Sequence, residues 1–184
     1  MNGNFIKSLG LVSFAFGWVG ISLLLTLWEV DKSRSISHHA AQHKKSYLLM
    51  AVCETISLAL FLVFNVAWLT PTFKLTLLFP ICCIGIAAGL VVAAWVPVTG
   101  PNKKLHDFLA WGAALLYLPI TVILFLSSNV SKPARLLNLT AFLLLIALVL
   151  TVRTSKSAQS RHLYLQSLYI LVFDIAVLSV AYIR

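Results

Sequence analysis

Six long apolar stretches, separated by short charged segments, dominate this chain. A helix needs about 20 apolar residues to cross a bilayer core of about 30 Å, and each stretch has roughly that length. Because lipid offers the backbone no hydrogen-bond partner, such stretches form helices. Charged residues make up 10% of the 184 residues, against roughly 25% in a soluble domain. We therefore expect an all-α polytopic membrane protein, folded as a single bundle of six transmembrane helices.

The six spans are bounded by the clustered charges and by turn residues. The connections between them are short, apart from residues 30–46, and leave no room for a soluble domain, so residues 1–184 are expected to form one domain. The first span is too long for the apolar core of a signal peptide and is interpreted as a membrane anchor. The predicted spans are residues 8–29, 47–69, 74–97, 105–127, 133–152 and 162–183.

The formal net charge of +9 is carried by the loops and the chain ends. Nucleic-acid binding needs basic residues on one folded face, and nothing in the pattern provides one, so we expect membrane lipids as partners and no nucleic acid. Of the fourteen Lys and Arg residues, nine lie in the first, third and fifth loops: Lys32, Arg34, Lys44, Lys45, Lys103, Lys104, Arg153, Lys156 and Arg161. The other five are Lys7, Lys74, Lys132, Arg135 and Arg184. Since cytoplasmic loops carry the excess of basic residues, both termini are expected outside the cytoplasm.

Carboxyl groups occur inside two of the spans. Glu54 and Ser57 lie three residues apart in span two, and Asn65 lies eleven residues beyond Glu54, so all three share a helix face. An intramembrane carboxylate is costly in contact with lipid, which predicts that this face points into the bundle. In span six, Gln166 and Asp174 share a face, and Asp174 lies about 18 Å along its helix, near mid-membrane. Each carboxyl is either functional or a hydrogen-bonded structural group.

The turn between spans three and four brings a titratable pair to the membrane surface. Trp95 ends one apolar run, a turn with Pro, Gly and two lysines follows, and His106-Asp107 opens the next run. His106 and Tyr117 share a face of span four, and Pro119 is expected to kink that helix. On a helix the side chains of His106 and Asp107 diverge by about 100°, so the two do not simply pair.

Spans two, four and six all enter the membrane from the side of the first, third and fifth loops. Their polar groups are therefore expected to meet in a partly hydrated cavity that opens toward those loops. The residues expected to line this cavity and to bind a ligand are Glu54, Ser57, His106, Asp107, Tyr117, Gln166, Tyr169 and Asp174.

Three functions fit such a cavity. The first is non-enzymatic: the protein binds or moves a lipid or small amphiphile, with Glu54 and Asp174 in binding or proton exchange. The second is an intramembrane hydrolase, with or without a metal, in which His106, together with Asp107 or Glu54, activates water or Ser37. No nucleophile elbow or zinc signature accompanies it. The third is a structural or assembly role.

The first loop contains three histidines, His38, His39 and His43. If the loop forms a short helix, His39 and His43 lie one turn apart on one face, a spacing that suits a transition metal. No cysteine or second patterned pair accompanies them, and Lys44 and Lys45 repel a cation. We therefore expect no metal and no cofactor, and a polar loop in contact with water or lipid head groups.

Small residues recur at helical spacing in two spans and allow helices to approach closely. They are Gly10, Ser13, Gly17 and Gly20 in span one, and Gly85 and Gly89 in span three. These faces predict helix packing inside the bundle or a homo-oligomer. Cys53, Cys82 and Cys83 all lie inside spans and are interpreted as small packing residues.

Four short motifs resemble a known family. They are Ser35-Ile36-Ser37, Ala88-Gly89-Leu90, Val96-Pro97 and Leu105-His106-Asp107. In this order, and with six spans over nearly the whole chain, the sequence resembles the prokaryotic membrane proteins grouped as domain of unknown function 998, which are distantly similar to DRAM/Frag-type proteins. The resemblance implies a six-span fold in a prokaryotic cytoplasmic membrane and no particular activity. It also implies an N-terminus inside the cell, opposite to the charge distribution.

Overall fold

The computed structural model describes residues 3–183, and all the regular structure in that range is helical. The helices are α1 Gly3–Leu27, α2 Ile36–Ala40, α3 Lys44–Thr72, α4 Leu78–Trp95, α5 Lys103–Leu126, α6 Lys132–Thr154, α7 Lys156–Gln159 and α8 His162–Tyr182. All except the short α2 and α7 are long and apolar enough to cross a membrane. This confirms the predicted all-α bundle of six spans, and the chain is an integral membrane protein. Arg184, which enters the charge distribution, lies outside the described residues.

The helix ends lie within five residues of the predicted bounds, and two helix starts differ most. Helix α1 begins at Gly3 rather than at residue 8, because the Lys7 ammonium lies 4.3 Å from the centre of the Tyr182 ring and can stay on the helix at the membrane edge. Helix α4 begins at Leu78 rather than at residue 74. Lys74 has a left-handed backbone with φ of 49°, which ends the preceding turn before α4 begins.

The loops lie at two opposite faces of the bundle. At the odd-loop face, formed by the first, third and fifth loops, the N–H of Leu163 donates to the carbonyl of Lys32 over 3.2 Å. At the even-loop face, formed by the second and fourth loops, the Asn129 amide donates to the carbonyl of Phe73 over 3.0 Å. These bonds fix which loops are neighbours, and they agree with helices that alternate in direction.

The small-residue face of α1 packs against α3. The hydroxyls of Ser13 and Ser57 each donate to the other residue's backbone carbonyl over 2.8 Å. Two turns further along α1, a Cβ on Gly20 would lie 2.7 Å from the Cβ of Cys53, so only glycine fits there. The GxxxG face of α4 packs likewise against α5, where a Cβ on Gly89 would lie 3.1 Å from the Cβ of Ala113. Both faces are thus occupied within the chain; the homo-oligomer predicted through them stays a prediction.

Two spans contain irregular turns. Helix α3 has a π-helical segment at Val63–Leu69, and α5 is interrupted at Leu116, between Lys103–Leu115 and Tyr117–Leu126. The interruption lies three residues before Pro119, whose ring clashes with the backbone one turn upstream and removes a hydrogen bond. It is the kink expected from that proline.

Candidate functional site

A central cavity of about 230 Å³ lies inside the odd-loop half of the bundle. Helices α1, α3, α4, α5 and α8 form its walls, and α2 together with residues 96–98 covers it at the odd-loop face. Most of its surface is apolar, with a small number of polar groups pointing inward, as in typical ligand pockets. The polar and titratable side chains that line it are Ser13, Trp18, Ser37, Tyr47, Glu54, Ser57, His106, Tyr117, Gln166, Tyr169 and Asp174.

Two carboxyl groups lie deep in the central cavity. Asp174 is 7% exposed, and its Oδ2 accepts a hydrogen bond of 2.8 Å from the indole N–H of Trp18. Glu54 is half-buried and has no hydrogen-bond partner among residues 3–183. The two groups are close enough for their charges to repel each other. The cavity therefore holds one carboxyl that is partly satisfied and one that is not.

Stacked aromatic rings form the wall between α5 and α8. The rings of Tyr117 and Phe173 are stacked with centroids 3.8 Å apart, and Tyr117 also stacks on Tyr169 at 5.7 Å. The Tyr169 hydroxyl donates to the carbonyl of Ala114 over 2.7 Å, close to the interruption of α5. Tyr117 is 8% exposed, and its hydroxyl has no hydrogen-bond partner in the described chain. The wall thus presents one free hydroxyl to the cavity.

His106 connects the end of α4 to the start of α5. Its Nδ1 lies 2.9 Å from the carbonyl of Ala93 and 2.8 Å from that of Val96. Because carbonyl oxygens only accept, Nδ1 carries a proton and donates to both; the Ala93 carbonyl also accepts from the Val96 N–H over 3.2 Å. The Nε2 atom has no partner among the described residues. In the neutral imidazole this atom is an acceptor.

Helix α2 covers the cavity at the odd-loop face. Ser35 caps it, with its hydroxyl accepting from the His38 N–H over 3.3 Å. The N–H of Ile36 donates to the Gln166 side-chain oxygen over 2.9 Å, which ties α2 to α8. Ile36 and Ala40 are 5% and 7% exposed and join a small apolar cluster with residues of α1, α3 and α8. Residues 35–40 of the first loop therefore form a packed cover, while residues 29–34 and 42–45 are exposed, as expected of a polar loop.

Two of the three loop histidines form hydrogen bonds within this cover. His39 is 1% exposed; its Nδ1 donates to the Ser35 carbonyl over 2.8 Å, and its Nε2 accepts from the Asp31 N–H over 2.8 Å. Both of its nitrogens are thus occupied. His38 bonds to the Ser35 hydroxyl over 2.6 Å, and His43 is exposed at the start of α3. Within residues 3–183, no three His, Cys, Asp or Glu side chains are grouped to hold a metal ion.

A side cavity of about 160 Å³ adjoins the central one. Asp107, which was expected in the central cavity, lines the side cavity instead, because its side chain diverges from that of His106 along the helix. His38 and His162 face the side cavity too. Burial lowers the pKa of His38, and the neighbouring positive charge of Lys103 lowers it further.

The hydrolase residues are only partly brought together. Ser37, Glu54 and His106 line the central cavity, while Asp107 does not. His106 donates to backbone carbonyls, so no carboxylate orients it, and the Ser37 hydroxyl is 2.9 Å from that of Ser35. This arrangement contains no hydrogen-bonded nucleophile and base of the kind that nucleophilic catalysis uses.

The other expected cavity residues take the following places. Glu54, Ser57, Tyr117, Gln166, Tyr169 and Asp174 all line the central cavity. Asn65 lies about 16 Å beyond Glu54 along α3, is fully buried, and donates to the Phe61 carbonyl over 2.8 Å. It lies outside the cavity and in the bundle interior, as the face that it shares with Glu54 predicts.

Trp18 is the functional candidate that sequence reasoning missed. It lies in an apolar span without any polar motif around it. The sequence feature that could have identified it is its indole N–H, because such a donor inside a membrane protein needs an acceptor. Asp174 was the deepest acceptor in the predicted spans.

The chain matches no protein-family model, no curated protein and no solved structure. The resemblance to the domain of unknown function 998 family, which rests on four short motifs, therefore stays a prediction.

Proposed function

We propose that this membrane protein binds a small amphiphile, or the polar end of a lipid, in its central cavity. The observation that carries the proposal is the Glu54 carboxyl, which faces the cavity about 15 Å inside its span and has no hydrogen-bond partner in the described chain. A carboxyl left without partners inside a membrane protein is costly and is a functional candidate by default. A bound polar group would satisfy it.

The size of the cavity supports a head group rather than a whole lipid. Ligand pockets for drug-sized molecules have volumes of roughly 300–1,000 Å³, whereas this cavity has about 230 Å³. Ile36, Ser37 and Ala40 of α2 lie over the cavity at the odd-loop face, next to the path by which a ligand would enter from that face. The protein is thus proposed to bind and release its ligand through that face.

A cavity-filling substitution tests the proposal. Ala110 lines both cavities, so Ala110→Phe places a ring in the space that a ligand would use. Ala59→Phe is the matched control, because Ala59 is exposed on α3 and makes no contact with either cavity. After purification in mild detergent, native mass spectrometry should find a molecule bound to the wild type and to Ala59→Phe. Ala110→Phe should have lost it.

Two results would contradict the proposal. One is a wild-type protein that retains no molecule and binds no added amphiphile. The other is equal retention by Ala110→Phe and the wild type, which would place the bound molecule on the outer surface. Size-exclusion profiles of the three proteins show that each variant is folded.

We also propose that the odd-loop face is cytoplasmic, with the cavity opening to that side of a prokaryotic cytoplasmic membrane. Nine of the fourteen Lys and Arg residues lie at this face, where they can contact anionic lipid head groups. Asn102→Cys reports on this face and Ser128→Cys on the other, since both positions are exposed. A membrane-impermeant maleimide applied to intact cells should label only Ser128→Cys. Labelling of Asn102→Cys instead would reverse the orientation.

A further inference from the structure

The hydrogen-bond groups of the central cavity are unevenly divided between donors and acceptors. Most donors are already used by the protein. The hydroxyls of Ser13 and Ser57 donate to backbone carbonyls, the Tyr169 hydroxyl donates to Ala114, and the Trp18 indole donates to Asp174. The donors without a partner are the Gln166 amide, since its oxygen already accepts from Ile36, and the hydroxyls of Tyr117 and Tyr47.

The acceptors, in contrast, are mostly free. Both carboxyl oxygens of Glu54, the Oδ1 of Asp174 and the Nε2 of His106 have no partner in the described chain. When ionised, a carboxylate only accepts hydrogen bonds, and a ligand that brings a positive charge favours that form. The ligand that completes this cavity must therefore be rich in N–H or O–H donors.

The charges around the central cavity also favour a ligand that donates hydrogen bonds and carries a positive charge. Within residues 3–183, no Lys or Arg lines the central cavity, although the chain contains fourteen such residues. An anionic head group would meet two carboxyls there with no cation to balance it. The stacked rings of Tyr117 and Phe173 form an apolar wall of the same cavity, against which the apolar body of a ligand can pack.

We infer that the central cavity is a binding site for a primary ammonium group carried on an apolar body, held by Glu54, Asp174 and the aromatic wall of α5 and α8. This inference rests on the proposed function and names its ligand class. A primary ammonium brings three N–H donors and one positive charge, which the unpartnered oxygens of Glu54 and Asp174 accept. The buried Tyr117 hydroxyl is a further partner in the cavity.

Four probes with the same octyl chain are expected to bind with different affinities. Octylamine has the charge and the donors, octyltrimethylammonium has the charge alone, octanol has one donor and no charge, and octyl phosphate has the opposite charge. Binding to the purified protein in nanodiscs is measured by calorimetry, with empty nanodiscs subtracted. Octylamine should bind at least about tenfold more tightly than octanol or octyltrimethylammonium, since hydrogen bonds to charged groups are the stronger ones. Octyl phosphate should bind more weakly than octanol.

Two substitutions locate the effect. Glu54→Gln removes the charge and one acceptor, and Asp174→Asn does the same while its remaining oxygen can still accept from Trp18. Each should weaken octylamine binding about tenfold or more and leave octanol binding within about threefold. Glu29→Gln is the matched control, because Glu29 is exposed and outside both cavities. It should bind octylamine as the wild type does. If one cavity variant does not fold, the other still gives the result.

The outcomes distinguish the inference from the proposed function. If octanol or octyl phosphate binds as tightly as octylamine and Ala110→Phe abolishes that binding, the cavity binds an amphiphile and the ammonium assignment is wrong. If octyltrimethylammonium matches octylamine, the aromatic wall recognises charge and the three-donor argument is wrong. If Ala110→Phe binds every probe as well as the wild type, both the inference and the proposed function fail.

Discussion

The two halves of the bundle use polar residues in opposite ways. In the even-loop half, the amide nitrogens of Asn65 and Asn138 donate to backbone carbonyls, that of Asn138 to Ala176 of α8 over 3.0 Å, while their buried side-chain oxygens have no partner in the described chain. In the odd-loop half, the Glu54 carboxyl and the Tyr117 hydroxyl face a cavity without a partner. Asn138 thus joins two helices in the even-loop half, whereas the unpartnered groups of the odd-loop half line a space that a ligand can enter.

Apolar side chains are packed more closely in the even-loop half than in the odd-loop half. Phe64 is 0% exposed, its ring stacks on Trp68 at 5.6 Å, and a Cβ on Gly10 would lie 3.0 Å from it. Phe61, one turn earlier on α3, is 3% exposed but lines the central cavity. Its surroundings are already partly empty, so the even-loop half is expected to hold most of the stability.

The largest expected effect tests this difference directly. Phe64→Ala leaves a new void in a packed region and should lower the free energy of unfolding by about 3–5 kcal/mol. Phe61→Ala enlarges an existing cavity and should cost clearly less. Equilibrium unfolding in detergent measures both variants against the wild type. Equal losses would mean that the cavity half is as well packed as the other.

A second test concerns the one satisfied carboxyl of the cavity. Trp18→Phe removes the donor to Asp174 and leaves a buried acceptor without its partner, which should lower stability by about 1–3 kcal/mol. In the Trp18→Phe, Asp174→Leu double variant the loss should be smaller than the sum of the two single losses, since the pair acts together. Trp111→Phe serves as control, because Trp111 is 37% exposed and makes no hydrogen bond within the described chain. Additive losses would show that the bond of 2.8 Å contributes nothing.

The fold could be predicted from the sequence because the backbone of a membrane span must satisfy its own hydrogen bonds, which favours helices. Apolar length alone predicts helices, and the small residues at Gly17 and Gly20 predict a close contact, although not its partner α3. The wall residues of the cavity followed from helix periodicity, which places Gln166 and Asp174 on one face. Asn65 is buried in the bundle, as the shared face predicts. The expected cavity wrongly included Asp107, which lines the side cavity because adjacent residues on a helix point in different directions.

The cover of the cavity was not predictable in the same way. The first loop has few apolar residues, and its folding depends on distant partners: Gln166 accepts from Ile36, and Leu163 donates to Lys32. Such contacts between residues far apart in sequence leave no periodic signal. The role of His106, which donates to carbonyls at the end of α4, is hidden for the same reason.

A smaller effect on the free energy of unfolding distinguishes Asn138, which joins two helices, from Glu54, which lines the cavity. Asn138→Ala removes a bond between α6 and α8 and should lower the free energy of unfolding by about 1 kcal/mol, as other hydrogen bonds between membrane helices do. Glu54→Gln removes a carboxyl that has no partner, so it should leave stability unchanged or raise it slightly. Unfolding curves for the two variants, recorded together, provide the comparison. A loss in Glu54→Gln as large as in Asn138→Ala would mean that Glu54 is a structural group.

The smallest expected effect concerns the cover and depends on pH. Burial, and then the charge of Lys103, hold the pKa of His38 below its usual value, with His162 and Arg34 acting in the same direction and Asp107 opposing them. When α2 opens, His38 regains an ordinary pKa of about 6.5 and binds a proton more readily than when α2 is closed. The open state therefore gains stability as the pH falls below about 6.5, while the closed state keeps its full stability above that range.

Hydrogen exchange of residues 36–40 measures this opening when protection is corrected for the intrinsic pH dependence of exchange. Protection of α2 should decrease modestly between about pH 7.5 and 5.5 in the wild type. His38→Asn can keep a hydrogen bond to the Ser35 hydroxyl but does not titrate, so its protection should be constant over that range. His43→Asn, at an exposed position, should behave as the wild type does. Constant protection in the wild type, or an unchanged pH dependence in His38→Asn, would show that another group controls the cover and that the acid-lined cavity opens independently of this histidine.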